Sequence, residues 1–126
     1  SNFYIIDKLE QKNYVKYLNT FDLGIISLNK NIKYSNFPGK LLTYLECGLP
    51  VLAYCSKKIE LFKFIKNKKI GYSIDTYNKN VILNSLKKIF YNQSFKKKNY
   101  KLICQNILKE EFSVKKVTQI IMDNIN

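Results

Sequence analysis

The residues best placed to do chemistry lie in the segment 34–53, which runs from a loop through a short helix into an apolar strand. Gly39 allows a ligand to approach the backbone closely, and Lys40 adds a positive charge to the first helical turn. The unpaired amides of residues 39–42 and the helix dipole attract anions. The segment therefore predicts an anion site suited to a pyrophosphate, and a plain Pro-Gly helix start with a solvated Lys40 is the alternative.

The elements that position this segment follow from the pattern of apolar residues. Short apolar runs predict strands over 3–6, 22–28, 50–54 and 71–74, the second of them apolar on both faces. Apolar residues at helical spacing predict helices between these strands, and Gly48 is placed to end the helix that follows Pro38.

After residue 78 only helices are expected. Two are marked by apolar residues within 82–89 and 100–107, and Ser113 is expected to cap a third that carries apolar residues on one face (Val114, Val117, Ile121 and Ile125). Alternating strands and helices favour parallel pairing with helices on both faces. The predicted fold class is α/β: a Rossmann-like parallel sheet flanked by helices, with an all-helical C-terminal section.

Composition limits the function classes. The chain of 126 residues has material for one modest domain, and no apolar run approaches the roughly 18 residues of a membrane span. All 22 basic residues are lysines against 9 acids, giving a net charge of +13. Residues 57–126 hold 16 of these lysines and 5 acids, which suits contact with an anionic membrane or polyanion, or a solvated surface.

The absence of histidine excludes a histidine triad or a histidine zinc site within these residues. The three cysteines, Cys47, Cys55 and Cys104, have no CxxC spacing, which suggests reduced thiols in the cytosol. Cys47 and Cys55 flank an apolar stretch and are interpreted as small core residues. Because no DxD-type acidic pair occurs, no metal is implied.

The segment 36–51 resembles the donor-binding motif of GT-B glycosyltransferases. That motif has Pro-x-Lys, a glutamate three residues later, and Gly-x-Pro-Val before the next strand. Here Thr43 stands at the glutamate position, and the other positions match (Pro38, Lys40, Gly48, Pro50 and Val51).

The resemblance continues in order along nearly the whole chain. The runs 21–28, 70–72 and 111–113 are similar to the family's preceding strand, later strand and final helix start. The resemblance implies that residues 1–126 are a partial C-terminal donor-binding domain, with strands and helices over 3–75 and a helical section over 78–125. An upstream strand and helix and an N-terminal acceptor domain would complete the protein.

The family also implies roles for single residues. Lys40 would approach the donor diphosphate beside the amides of Gly39, Leu41 and Leu42, and Thr43 would hold the ribose. In relatives with two motif glutamates the earlier one falls on Ser35, so both acids are replaced, and Glu46 lies one turn beyond Thr43. The candidate donor-site loop consists of Tyr34, Ser35, Asn36, Phe37 and Pro38, and the candidate nucleobase loop of Asp7 and Lys8.

The activity implied is that of a hexosyltransferase-type enzyme, cytoplasmic and peripheral at the inner membrane face. It would move a sugar from a nucleotide-diphosphate donor to an acceptor hydroxyl of a bacterial envelope polysaccharide or lipid-linked glycan, without a cofactor or metal. The full-length protein would be the enzyme, and this segment alone would be inactive.

Two alternatives stay open. The replaced glutamates at Ser35 and Thr43 fit a noncatalytic binding or scaffold module with a degenerate donor site. The charge and the ten tyrosines suggest a nucleic-acid-binding protein, but the chain has no recognised nucleic-acid-binding motif, so no nucleic-acid partner is expected.

Overall fold

The computed structural model describes residues 11–29, 37–92 and 97–112, and these residues form an α/β fold. Three strands form one sheet in the order β1-β2-β3, and both pairs are parallel. This confirms the predicted class of a parallel sheet flanked by helices. In chain order the elements are α1 (Gln11–Leu18), β1 (Gly24–Ser27), α2 (Gly39–Cys47), β2 (Val51–Tyr54), α3 (Glu60–Asn67), β3 (Gly71–Ile74), α4 (Lys79–Tyr91) and α5 (Lys97–Glu111).

Two predicted elements, the strand over 3–6 and the helix capped by Ser113, lie outside the described residues. The other elements form close to where the apolar patterns place them. After β3 the described chain continues in the two helices α4 and α5, as expected for the C-terminal section.

The sheet is packed on both faces, because successive side chains of a strand point in opposite directions. In β2, Val51 and Ala53 point into the larger core, and Leu52 points into the smaller one. The smaller core also contains Ile74 of β3 and Ile89 of α4. The larger core is built by α2, α3 and α5, which contribute Leu41, Leu45, Leu61, Ile65, Tyr100 and Cys104.

Strand β1 differs from the prediction that it is buried on both faces. Gly24 and Ile26 are buried, whereas Ile25 is 56% exposed. The reason is the position of α4, which packs against β3 at the far side of the sheet. The face of β1 that carries Ile25 is therefore left open, although the sequence there is continuously apolar.

Helix α5 contacts the sheet through Tyr100, whose side chain is completely buried. Its hydroxyl oxygen lies 2.9 Å from the carbonyl oxygen of Leu49 and 2.7 Å from that of Ile70. Leu49 lies two residues before β2 and Ile70 one residue before β3, so one phenol joins α5 to two strands. Burial raises the pKa of Tyr100 far above its ordinary value, which keeps the hydroxyl protonated as a donor.

We expect Tyr100→Phe to lower the free energy of unfolding by about 1–3 kcal/mol, because the Leu49 carbonyl loses a buried donor. The Ile70 carbonyl keeps its bond from the Val51 amide at 3.0 Å. Denaturant unfolding measures the difference. The matched control is Tyr91→Phe, at a position that is 81% exposed, where the change should stay within about 0.5 kcal/mol. Equal effects of the two variants would contradict a structural role for the Tyr100 hydroxyl.

Two thiols make the stability of the fold sensitive to alkaline pH. Burial raises the pKa of Cys55 and of Cys104 to about 11, and the hydrogen bond with Tyr100 lowers that of Cys104 in part. Unfolded thiols ionise near their ordinary value of 9.0, so between pH 9 and 11 the folded state binds more protons than the unfolded state. The stabilisation is therefore complete below pH 9 and declines as the pH rises through 11.

We predict that the free energy of unfolding, measured in urea under reducing conditions, falls between pH 9 and pH 11. Cys55→Ala should make this slope shallower, whatever it does to the stability at pH 8, because one of the titrating groups is gone. The same slope in Cys55→Ala and in the parent chain would contradict the assignment of Cys55 as a titrating group.

Candidate functional site

The start of α2 lies at the edge of the sheet where the strands end. The helix ends at Gly48, which has the left-handed φ of 67° predicted for a C-terminal glycine. The Gly48 amide donates to the Leu45 carbonyl and the Leu49 amide to the Tyr44 carbonyl, which closes the last turn as the chain enters β2. Because α2 connects two parallel strands, its N-terminus is at their carboxyl ends, the edge where open α/β sheets bind ligands.

Tyr44 holds α2 against β1. Its hydroxyl donates to the Ile25 carbonyl at 2.9 Å, and its ring lies over Gly24, where a Cβ atom would overlap the ring. The helix can approach the strand this closely only because residue 24 has no side chain. This contact fixes the position of the last turn of α2 relative to the start of β1.

The first turn of α2 presents Gly39 and Lys40 to solvent. Pro38 precedes the helix in an extended conformation and makes no side-chain cap. The prediction that the Leu41 amide is open to a ligand is wrong, because this amide donates a hydrogen bond to the Pro38 carbonyl at 3.1 Å. The side chain of Leu41 is fully buried. Apart from residues 38–40 and the nearby backbone of α2 itself, no described atom lies within 4 Å of the place where a Cβ of residue 39 would stand. The predicted anion site therefore has an open backbone at Gly39 and a solvated ammonium at Lys40, and Leu42 is half-buried beside them.

Thr43 lies one turn further along α2. Its hydroxyl donates to the Gly39 carbonyl at 3.3 Å, a bond within the helix. Its oxygen can still accept a hydrogen bond from a ribose hydroxyl, which is weaker than the charge-assisted bond to a glutamate. Glu46 is exposed, and it follows Thr43 at the spacing that shares a helix side.

The side chain of Phe37, which was predicted to belong to the donor-site loop, packs against the larger core. Its ring centroid lies 4.7 Å from that of Phe64 on α3 and 5.9 Å from that of Phe112 after α5. This aromatic cluster anchors the chain just before Pro38 and so helps to position the start of α2. The other members of the predicted donor-site loop, Tyr34, Ser35 and Asn36, and the predicted nucleobase residues, Asp7 and Lys8, lie outside the described residues.

The sequence analysis missed a group of side chains at the same carboxyl edge, formed by Ser27, Tyr54 and Tyr77. Ser27 and Tyr54 are paired residues at the ends of β1 and β2. Tyr77 follows β3, and its ring stacks on Tyr54 with centroids 3.8 Å apart and planes 18° from parallel. The hydroxyls of Tyr77 and Ser27 lie 2.9 Å apart. The register of the strand ends could have indicated the first two residues, but no local pattern places Tyr77 over them.

The polar groups around this edge are an ion pair and a neutral phenol. Lys57 and Asp75 lie 3.8 Å apart as an exposed pair. Burial, and then the neighbouring Tyr77 and Asp75, raise the pKa of Tyr54 above its ordinary value. The phenol of Tyr54 is therefore uncharged at physiological pH and adds no repulsion toward an anionic ligand.

Two open clefts lie away from the start of α2. One, of about 580 Å³, is at the amino edge of the sheet, where Asp22, Gly48 and Pro50 contribute to its wall. The other, of about 540 Å³, lies beside β3, with Phe62, Lys66 and Tyr72 in its lining. Neither contains Gly39 or Lys40, which are both exposed.

Within residues 11–29, 37–92 and 97–112, no helix is both long and apolar enough to cross a membrane. In these ranges, no three metal-ligating side chains of the histidine, cysteine or acidic types come together.

Substitution at Gly39 tests whether folding requires a glycine there. We expect Gly39→Ala to leave stability unchanged or to raise it by up to about 1 kcal/mol, because alanine is the better helix former and the space is open. The control Gly48→Ala should lose about 1–2 kcal/mol, since residue 48 is left-handed. Thermal or denaturant unfolding compares the two, and similar losses would show that Gly39 is structurally required.

Comparisons with known proteins found no matching family model, no matching curated protein and no matching solved structure.

Proposed function

We propose that this chain binds the nucleotide-diphosphate part of an activated sugar, as the Rossmann-like donor-binding domain of a GT-B type glycosyltransferase. The observation that carries the proposal is the first turn of α2, where Gly39 and Lys40 are open to solvent at the carboxyl edge of a parallel sheet. A helix start of this kind offers amide donors, a positive dipole end and a full charge to one anion.

Gly39 supports a ligand role because packing does not require it. Glycine loses more conformational freedom on folding than any other residue, so a glycine at the start of α2 has an entropic cost. The described neighbours leave room for a side chain at residue 39, in contrast to Gly24, where the Tyr44 ring excludes one. Close approach of a diphosphate to the backbone gives a physical reason for a glycine at this position.

The chemistry that these residues would perform is stabilisation of a leaving group. When the sugar moves to an acceptor hydroxyl, the bond between its anomeric carbon and the diphosphate oxygen breaks, and negative charge gathers on the diphosphate. The Lys40 ammonium and the helix amides would bind the diphosphate more strongly as that charge develops. The acceptor and the group that takes its proton would belong to another domain of the full-length protein.

The second candidate function is a noncatalytic module with the same fold. It is favoured by Thr43, which stands at the motif's glutamate position and bonds within its own helix. In this case, replacing Thr43 with glutamate would create no donor turnover in the full-length protein. Turnover by the unaltered full-length protein would exclude this candidate.

We predict that Lys40→Ala weakens binding of a nucleoside diphosphate about tenfold, because a charged hydrogen bond contributes at least about 1.5 kcal/mol. Calorimetric titration with UDP, GDP, ADP and CDP measures the loss. The matched control is Lys63→Ala, which removes another exposed lysine, on α3, and lowers the net charge equally. Equal weakening by both variants would indicate a general charge effect and contradict a site at Lys40.

Gly39→Ala gives a second, independent measurement of the same site. If the diphosphate contacts the backbone at residue 39, the added methyl group should weaken nucleotide binding while the unfolding transition stays intact. Unchanged affinity in a stable Gly39→Ala variant would show that the ligand does not approach this backbone.

A further inference from the structure

We propose that the outer edge of β3 binds an extended acidic segment of a partner protein, which adds to the sheet as a further strand. The place is the cleft of about 540 Å³ beside β3. This cleft contains neither Gly39 nor Lys40, so the inference is independent of the proposed nucleotide site. It rests on the backbone edge of β3, on the lysines around the cleft and on the backbone conformation of one of them.

Strand β3 presents one backbone edge to the cleft. Among the described strands it has a neighbour on one side only, because the order is β1-β2-β3. The carbonyls of Ile70 and Ile74 accept hydrogen bonds at 3.0 Å from amides at the two ends of β2. Backbone groups of successive strand residues point to alternate edges, so those of Gly71 and Ser73 point away from β2. Both residues line the cleft, where a further extended chain can pair with them.

The cleft reaches around this edge from one face of the sheet to the other. On the face of the larger core, the Ser73 hydroxyl donates to the Phe62 carbonyl of α3 at 2.9 Å, which holds the helix against β3. On the opposite face, Tyr72 packs against the smaller core, and Asn92 lines the cleft after the end of α4. An extended segment along β3 would therefore direct its side chains toward α3 and α4 in turn.

The charge around the cleft is positive. Lys66 and Lys69 line it, and none of its lining residues is acidic. The Lys88 ammonium lies 5.7 Å from the ring centroid of Tyr72, another lining residue. Within the described residues these three lysines form no ion pair, whereas Lys68 pairs with a carboxylate at 3.0 Å. This charge favours an acidic segment and opposes a second copy of the chain, which would bring the same lysines together.

Lys69 occupies a backbone position that favours glycine. Its φ of 58° is left-handed, at the turn that ends α3. The amides of Lys69 and Ile70 close this turn at 3.2 Å each, in the pattern that Gly48 and Leu49 form at the end of α2. A lysine is less favourable there than a glycine because of its Cβ atom. Contact of the ammonium with a partner gives a physical reason for a lysine at this position.

Fluorescence anisotropy with labelled peptides of about eight residues tests the proposal on the full chain. The probe consists of glutamate and threonine. One control peptide has glutamine in place of glutamate, and the other is acidic but N-methylated at every residue, which removes its backbone donors. We expect saturable binding of the probe and at least about tenfold weaker binding of both controls, because each lacks one part of the recognition.

Variants of the cleft separate binding from folding. Lys69→Gly should weaken binding of the probe about three- to tenfold. The same variant should unfold at a higher denaturant concentration, because glycine suits the left-handed backbone. Lys66→Ala and Lys88→Ala should each weaken binding and leave the unfolding midpoint nearly unchanged. The matched control is Lys79→Ala, which removes an exposed lysine at the start of α4 and should bind the probe like the parent chain.

Other outcomes would overturn the proposal. Absence of probe binding, or equal binding of the N-methylated peptide, would show that no strand adds to β3. Equal weakening by Lys79→Ala would indicate a general effect of charge. Tighter binding of a single-stranded oligonucleotide or of anionic lipid vesicles, weakened by the same variants, would assign the cleft to another class of partner. Sedimentation as a dimer that Lys66→Ala makes tighter would assign the edge to a second copy of the chain.

Discussion

The buried contact of the Tyr100 hydroxyl with two carbonyl oxygens, which share its one proton, is the interaction on which this fold most depends. Each strand of the described sheet has only four residues, so it makes few ladder bonds and buries little surface by itself. Tyr100 reaches from α5 to the residues just before β2 and β3 and aligns their starts. Since the phenol is fully buried, its alignment is not weakened by competition with water.

Two further tyrosine hydroxyls form hydrogen bonds with β1. The Tyr44 hydroxyl bonds to the backbone of β1, and the Tyr77 hydroxyl bonds to the side chain at its end. Each phenol spans a gap between elements that a shorter polar side chain could not cross. These tyrosines therefore have structural contacts that account for them, which weakens the argument from tyrosine content for nucleic-acid binding.

The sequence predicted the elements that depend on local chemistry. Gly48 was identified as the helix end because only a residue without a Cβ adopts its left-handed conformation easily, and the structure confirms it. The strands and helices follow apolar periodicity, which the backbone geometry imposes directly. For the same reason the start of α2 could be predicted, since helix starts are locally encoded, whereas the anion site there stays a prediction.

The predictions that changed were those that depend on distant contacts. The sequence of β1 is apolar on both sides, but whether Ile25 is covered depends on where α4 packs. Phe37 was assigned to a ligand loop because of its neighbours in sequence, whereas its ring meets Phe64 and Phe112 from later elements. The stack of Tyr54 and Tyr77 was missed because it joins two turns whose only connection is the order of the strands.

The anion site proposed at the start of α2 would recognise charge and not the identity of a nucleotide. Helix amides and an ammonium bind the negative charge of a diphosphate. All nucleoside diphosphates carry that charge, so Gly39 and Lys40 would supply affinity without choosing among donors. Discrimination between bases requires hydrogen bonds to their edges, because the ring edges and not the faces differ. A change of donor would therefore not require a change at Gly39 or Lys40.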